Sequence, residues 1–72
     1  MSNDVREAVG RRVRELRLEI GLSQEELATR AGLHRNYTGR IERAEQDIGI
    51  TALSKVVEAL GVSLAEFFAP FR

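Results

Sequence analysis

Seventy-two residues make one small domain and are too few for a second core. An apolar share of 43% beside a charged share of 31% excludes a disordered chain, and the lack of cysteine excludes disulfide stapling and thiolate metal sites. Net charge is zero, yet residues 1–43 carry nine arginines against seven acids while residues 44–72 carry two basic groups against four acids, so a positive docking face is permitted despite the neutral total.

In chain order, Met1-Ser2-Asn3-Asp4 is polar and lacks the apolar run of a signal peptide. No stretch approaches the roughly 20 apolar residues that span a bilayer, so the expectation is a cytoplasmic protein without a membrane segment. Asp4-x-x-Glu7 has the form of a capping box. Behind it Val5, Val9, Val13, Leu16 and Ile20 recur at helical spacing and predict one apolar stripe, on a helix ending near Gly21. Gly10 inside that helix costs about 1 kcal/mol relative to Ala, which points to a close helix contact there.

Ser23-x-x-Glu26 is a second capping box and opens a short helix through Ala31, with Leu27 and Ala28 facing inward and Gly32 stopping it. A third helix is expected from Arg35 to Arg43, with His34 a poor N-cap. Ile50, Leu53, Val56, Val57 and Leu60 form a fourth stripe that ends at Gly61. Ser63-x-x-Glu66 starts a short last helix, on which Leu64 and Phe67 are expected to close the core before Pro70 ends it. No segment has strand alternation. The fold class is therefore all-α, a compact five-helix domain over residues 1–72.

Residues 24–43 read as one unit. Ala28 is the small residue where two steeply crossed helices approach, Gly32 supplies the tight turn, and Leu27, Leu33 and Ile41 pin the pair. That pattern is a helix-turn-helix. With Gly21-Leu22-Ser23-Gln24-Glu25-Glu26-Leu27-Ala28, the turn Ala31-Gly32-Leu33, Arg40-Ile41-Glu42-Arg43 and the tail Ala59-Leu60-Gly61-Val62-Ser63-Leu64, nearly the whole chain resembles the lambda and 434 repressor and Cro family, also called the xenobiotic-response-element (XRE) family. Two positions depart from the family pattern. Thr38 stands where an apolar residue usually packs the third helix onto the core, and Ala44 stands where Gly usually follows the Ile-Glu-Arg stretch.

The resemblance implies a third helix that enters the major groove of double-stranded DNA. Arg35, Asn36 and Arg40 are then the base-contact candidates, since arginine can pair bidentately with guanine and asparagine with adenine; on an isolated surface helix the same residues would simply be solvated. Gln24 takes over the family's phosphate contact at a helix N-terminus, and Arg43, Tyr37 and His34 are further phosphate candidates. His34 reads equally well as a cap neighbour, and one histidine without a second ligand is no metal site. Arg17 and Glu42 match a family ion pair that holds the third helix to the first, whereas periodicity alone leaves them two unrelated surface charges.

With Leu64 and Phe67 assigned to the core, Phe68 and Phe71 have no obvious inward partner. Together with Val62 they either pack as a tail on their own domain or form a twofold interface in the last helix and tail, residues 63–72. A homodimer would set two third helices about one DNA turn (roughly 34 Å) apart on a palindromic operator. The expected function is thus a sequence-specific transcriptional regulator, a repressor. The alternative is a protein-interaction module that uses the same fold and docks through Phe68 and Phe71; exposure of Arg35, Asn36, Arg40 and Arg43 together discriminates against it. An enzyme is not expected, since one histidine, no cysteine and no glycine-rich phosphate loop leave no site to assemble. No cofactor, metal or small-molecule ligand is implied. Asn36-Tyr37-Thr38 matches a glycosylation acceptor, but a helix-forming segment without a signal peptide is a poor substrate.

Overall fold

The computed structural model describes residues 2–71, with side chains from residue 4 onward. Met1 and Arg72, the ends of the expected 1–72 domain, lie outside the described residues. Five helices follow one another: α1 (Ser2–Glu19), α2 (Gln24–Ala31), α3 (Tyr37–Glu42), α4 (Ile50–Leu60) and α5 (Leu64–Phe68). The architecture is the expected all-α one.

The first helix begins earlier than its expected cap. Asp4 lies inside the first turn of α1, so it cannot be an N-cap and the capping box with Glu7 is not formed. Its carboxylate sits instead near the positive end of the helix dipole. The five-residue stripe also shortens to its middle: Val9, Val13 and Leu16 are buried, whereas Val5 and Ile20 are 60% and 46% exposed. Val5 lies on the rim of a surface groove, and Ile20 has left the helix, which ends at Glu19.

Both serine capping boxes form as the spacing predicts. The Ser23 hydroxyl accepts from the Glu26 N–H at 3.0 Å, and the Ser23 N–H donates to Glu26 Oε1 at 2.8 Å. Ser63 and Glu66 repeat the arrangement at the same distances. The bonds to Ser23 hold the Glu26 carboxyl below the usual carboxylate range.

Helices α1 to α4 end in one recurring turn. Backbone N–H groups of Leu22, Leu33, Glu45 and Val62 reach five residues back to the carbonyls of Arg17, Ala28, Arg40 and Val57, which is the Schellman arrangement. The residue before each of these donors is left-handed: Gly21, Gly32, Ala44 and Gly61. Ala44, with φ 58°, keeps the turn that a glycine would make, and its Cβ costs about 1 kcal/mol there.

The core sits where α2 and α4 pack together, with α1 carrying α3 on one side and α5 closing against α4. Leu27, Ala28 and Phe67 are wholly enclosed, surrounded by Val13, Ile41, Leu53, Val56 and Val57. Ile50, expected in the α4 stripe, is 74% exposed, because as the first residue of the helix it lies at the end of the inward face. Leu64 is likewise exposed rather than closing the core; Phe67 does so alone. Phe68 and Phe71 do have an inward partner, contrary to expectation. Both rings pack on Phe67, at centroid separations of 5.0 and 6.2 Å, because the chain folds back after α5 through a bond from the Phe71 N–H to the Phe68 carbonyl. Arg12 of α1 closes the end of α5, donating to the carbonyls of Phe67 and Glu66 at 2.7 and 2.8 Å, as a cation at a helix C-terminus should. Among the described residues no helix is long and apolar enough to cross a membrane.

Candidate nucleic-acid interface

Helix α3 is shorter than the expected Arg35–Arg43 span. It runs from Tyr37 to Glu42 with Asn36 at the N-cap, and Arg35 lies in the turn before it. The Asn36 side chain makes no capping bond. His34 shapes the turn instead: its carbonyl accepts from the Tyr37 N–H at 2.9 Å and its ring Nδ1 accepts from the Asn36 N–H at 3.2 Å. Tyr37 is half-buried, its ring packed against the core.

Since so little local bonding starts α3, its position comes from its neighbours. Glu42 and Arg17 face each other with side chains 3% and 7% exposed. Arg17 donates from Nε to Glu42 Oε2 at 2.6 Å and from Nη2 to Oε1 at 2.9 Å, and its Nη1 donates to the Leu22 carbonyl at 2.8 Å. The hydrogen bonds to Glu42 raise the Arg17 pKa, outweighing the burial that opposes its charge. Gln24 completes the clamp, donating from Nε2 to Glu42 Oε1 at 2.9 Å. One carboxylate thereby ties α1, the start of α2 and the end of α3 together. Gly10 lets the helices come this close: a Cβ built there would lie 2.5 Å from the Ile41 carbonyl oxygen. That is the contact its presence in α1 suggests.

Thr38 is buried at 2% exposure, in the place of the family's apolar residue, and its hydroxyl has no hydrogen-bond partner among the described residues. Such an unpaired buried group costs about 1–3 kcal/mol.

Held this way, α3 forms one wall of an open groove of about 460 Å³, lined by Gln24, Glu25, Arg35, Asn36, Gly39, Arg40, Arg43 and Glu45. Three guanidiniums therefore share one face. Arg40 is exposed, and its guanidinium makes no hydrogen bond or ion pair among the described residues. Arg35 lies 3.9 Å from Glu25 in a loose, exposed pair. Arg43 is gripped at two points by Glu45, Nε to Oε2 at 3.0 Å and Nη2 to Oε1 at 3.3 Å. Gly39 forms the floor: a Cβ there would lie 2.9 Å from Arg43 Nη1 and 3.0 Å from Gln24 Oε1, crowding both side chains.

A helix-turn-helix family model matches residues 13–67. The chain belongs to the helix-turn-helix family. These are DNA-binding transcription regulators of the lambda repressor and Cro type. The helix-turn-helix chain is 40% identical over 63 residues to the control protein C.BamHI of Bacillus amyloliquefaciens, covering 86% of this chain and 78% of that protein. It superposes on the restriction-modification controller protein C.AhdI from Aeromonas hydrophila with a TM-score of 0.84 at 40% identity, covering 88% of this chain and 96% of that one. The wild-type controller protein C.Esp1396I gives a TM-score of 0.87 at 33% identity, covering 92% and 85%.

Three residues of the groove, and Arg12 at the end of α5, escape sequence reasoning in this helix-turn-helix chain. Gly39 looks like a weak helix residue, and only its position under Arg43 and Gln24 gives it a purpose. Glu25 and Glu45 read as solvated acids until the fold brings them to the arginines. Arg12 looks like any exposed cation. The short i to i+2 spacing of Arg43 and Glu45 was the one available signal, since the left-handed residue between them turns both to the same side.

Proposed function

We propose that this regulator binds a palindromic operator in double-stranded DNA as a homodimer and acts as a repressor. The single observation that carries the reading is the row of Arg35, Asn36 and Arg40 along an open groove, at the entry to and on a helix that a buried ion pair holds in place. In this reading those three residues meet base edges. Arg43, Tyr37 and His34 contact phosphates, Tyr37 from the first position of α3 and His34 from the turn before it.

Gln24 contributes differently from a free side chain. Its amide is engaged with Glu42, so its phosphate contact comes through the backbone. Of the four N–H groups at the start of α2 that have no intrahelical partner, those of Ser23 and Glu26 are taken by the two side chains of the capping box. The N–H groups of Gln24 and Glu25 remain for a phosphate at the positive end of the helix.

The twofold surface includes Val62, Phe68 and Phe71, which keep part of their area exposed, together with Leu64, one helical turn before Phe68 and 41% exposed. Similarity to controller proteins supports a transcription regulator working in the cytoplasm. An interaction module would leave the exposed Arg40 guanidinium, held by no hydrogen bond, without a purpose.

The test is titration of inverted-repeat duplexes, taken from upstream of the coding region, at two salt concentrations, with sedimentation of the complexes. Affinity should fall steeply with salt, as expected for several phosphate contacts, and two chains should bind per site. Arg40→Ala should cost about 1–3 kcal/mol and relax preference at one base pair. Salt-insensitive binding, or one chain per site at saturation, would contradict the reading.

A further inference from the structure

We propose that Glu45 is a built-in competitor for the DNA backbone: it occupies Arg43 in the free protein as a phosphate would, and so sets affinity without altering base reading. This rests on the reading above, that the groove accepts DNA.

The geometry is that of a substitute ligand. Two guanidinium nitrogens meet two carboxylate oxygens at 3.0 and 3.3 Å, the two-point grip that arginine also offers a phosphate. The acid is not on a free loop. Its own N–H is bonded to the Arg40 carbonyl at 2.9 Å, and left-handed Ala44 returns the chain so that Glu45 joins the groove lining. Each partner favours the charged form of the other: the hydrogen bond to Glu45 raises the Arg43 pKa, and the hydrogen bond to Arg43 lowers that of Glu45.

Exposure decides what the pair can do. Side chains that are 55% and 53% exposed gain little from pairing, so the contact contributes little to folding and opens readily. For DNA it matters more. A phosphate must displace the carboxylate and then sit beside it, and the groove's three guanidiniums face two carboxylates, Glu25 and Glu45. The two-point grip falls on Arg43, a phosphate candidate, while Arg40 feels Glu45 through its charge alone and keeps its donors for a base. Affinity for every sequence should therefore drop by a similar factor, leaving discrimination between sequences unchanged.

The experiment uses the full chain and a random-sequence duplex of about 20 base pairs, long enough for two half-sites one turn apart. Glu45→Gln should bind it about three- to tenfold more tightly, with a salt dependence steeper by about 0.9 in the log–log slope, as for one more neutralised phosphate. In an Arg43→Ala background that gain should shrink by half or more on a logarithmic scale. Once an operator is identified, Glu45→Gln should raise affinity for it by the same factor as for the random duplex. No gain overturns the proposal, and so does a gain retained by more than half without Arg43, since the acid would then act by simple repulsion. If Arg43→Ala weakens binding while Glu45→Gln leaves it unchanged, only the competitor fails. If Arg40→Ala and Arg43→Ala both bind as the parent does, the docking face itself is wrong.

Discussion

The two helices of the helix-turn-helix are built on opposite plans. Helix α2 is closed at both ends by its own sequence, with a complete capping box at Ser23 and Glu26 and a glycine turn at Gly32, and it buries Leu27 and Ala28 completely. Helix α3 has six residues, no side-chain cap, a buried hydroxyl without a partner at Thr38 and an alanine in left-handed backbone at its end. An isolated helix that short is unstable in water. It exists because Gly10 lets α1 approach its last carbonyls and because Arg17 and Gln24 hold Glu42. The helix that positions the unit is thus locally determined, and the helix that bears the candidate base contact Arg40 is held from outside. Its orientation is consequently coupled to the core rather than to its own propensity.

Breaking the external support should have the largest effect. Arg17→Ala strands the Glu42 carboxylate in a buried site and should lose about 3–5 kcal/mol of unfolding free energy, measured by urea denaturation. A loss below 1 kcal/mol would mean that the clamp does not position α3. Gly10→Ala should follow, losing about 1–3 kcal/mol to overpacking against backbone despite Ala being the better helix former; amide exchange should speed up in α3 first. On the locally determined side, Ser23→Ala should cost about 1 kcal/mol through the lost cap while protection in α3 changes no more than global stability does.

The intrinsic weaknesses of α3 should be repairable. Thr38→Val removes the unpaired hydroxyl at nearly constant shape and should gain about 1 kcal/mol. Ala44→Gly should gain the least, about 0.5–1 kcal/mol, because relief of the left-handed Cβ is partly offset by the greater freedom of glycine in the unfolded chain. A thermal midpoint unchanged or lowered in both variants would show that the weakness of α3 lies elsewhere.

Local rules were legible along the chain wherever a helix boundary is set by residues within one turn of it. Ser23 with Glu26 and Ser63 with Glu66 mark the starts of α2 and α5, and glycines at 21, 32 and 61 mark the ends of α1, α2 and α4, since these bonds close between near neighbours whatever the tertiary setting. Periodicity named most of the core correctly and failed at its edges: Val5, Ile20, Ile50 and Leu64 have the spacing of buried residues, but whether a stripe's end is covered depends on where the next helix stops. Phe68 and Phe71 failed in the other direction, because a turn after α5 folds them onto Phe67.

The site divides along the same line. The types and order of Gln24, Arg35, Asn36, Arg40 and Arg43 could be taken from the chain, as could the match of Arg17 with Glu42 to a family pair. Which guanidinium is free and which is occupied could not, because an ion pair between exposed side chains depends on distances of a few ångströms that no spacing rule specifies. The amino-acid order by itself determined the number of helices, the ends that carry a serine box or a glycine turn and the identity of the helix-turn-helix unit, through hydrogen bonds and apolar periodicity that act over a few residues. Only the tertiary structure decided the placement of α3, the burial of Thr38, the closing of α5 by Arg12 and the occupation of Arg43 by Glu45. These are set by long-range packing and by charge at close range.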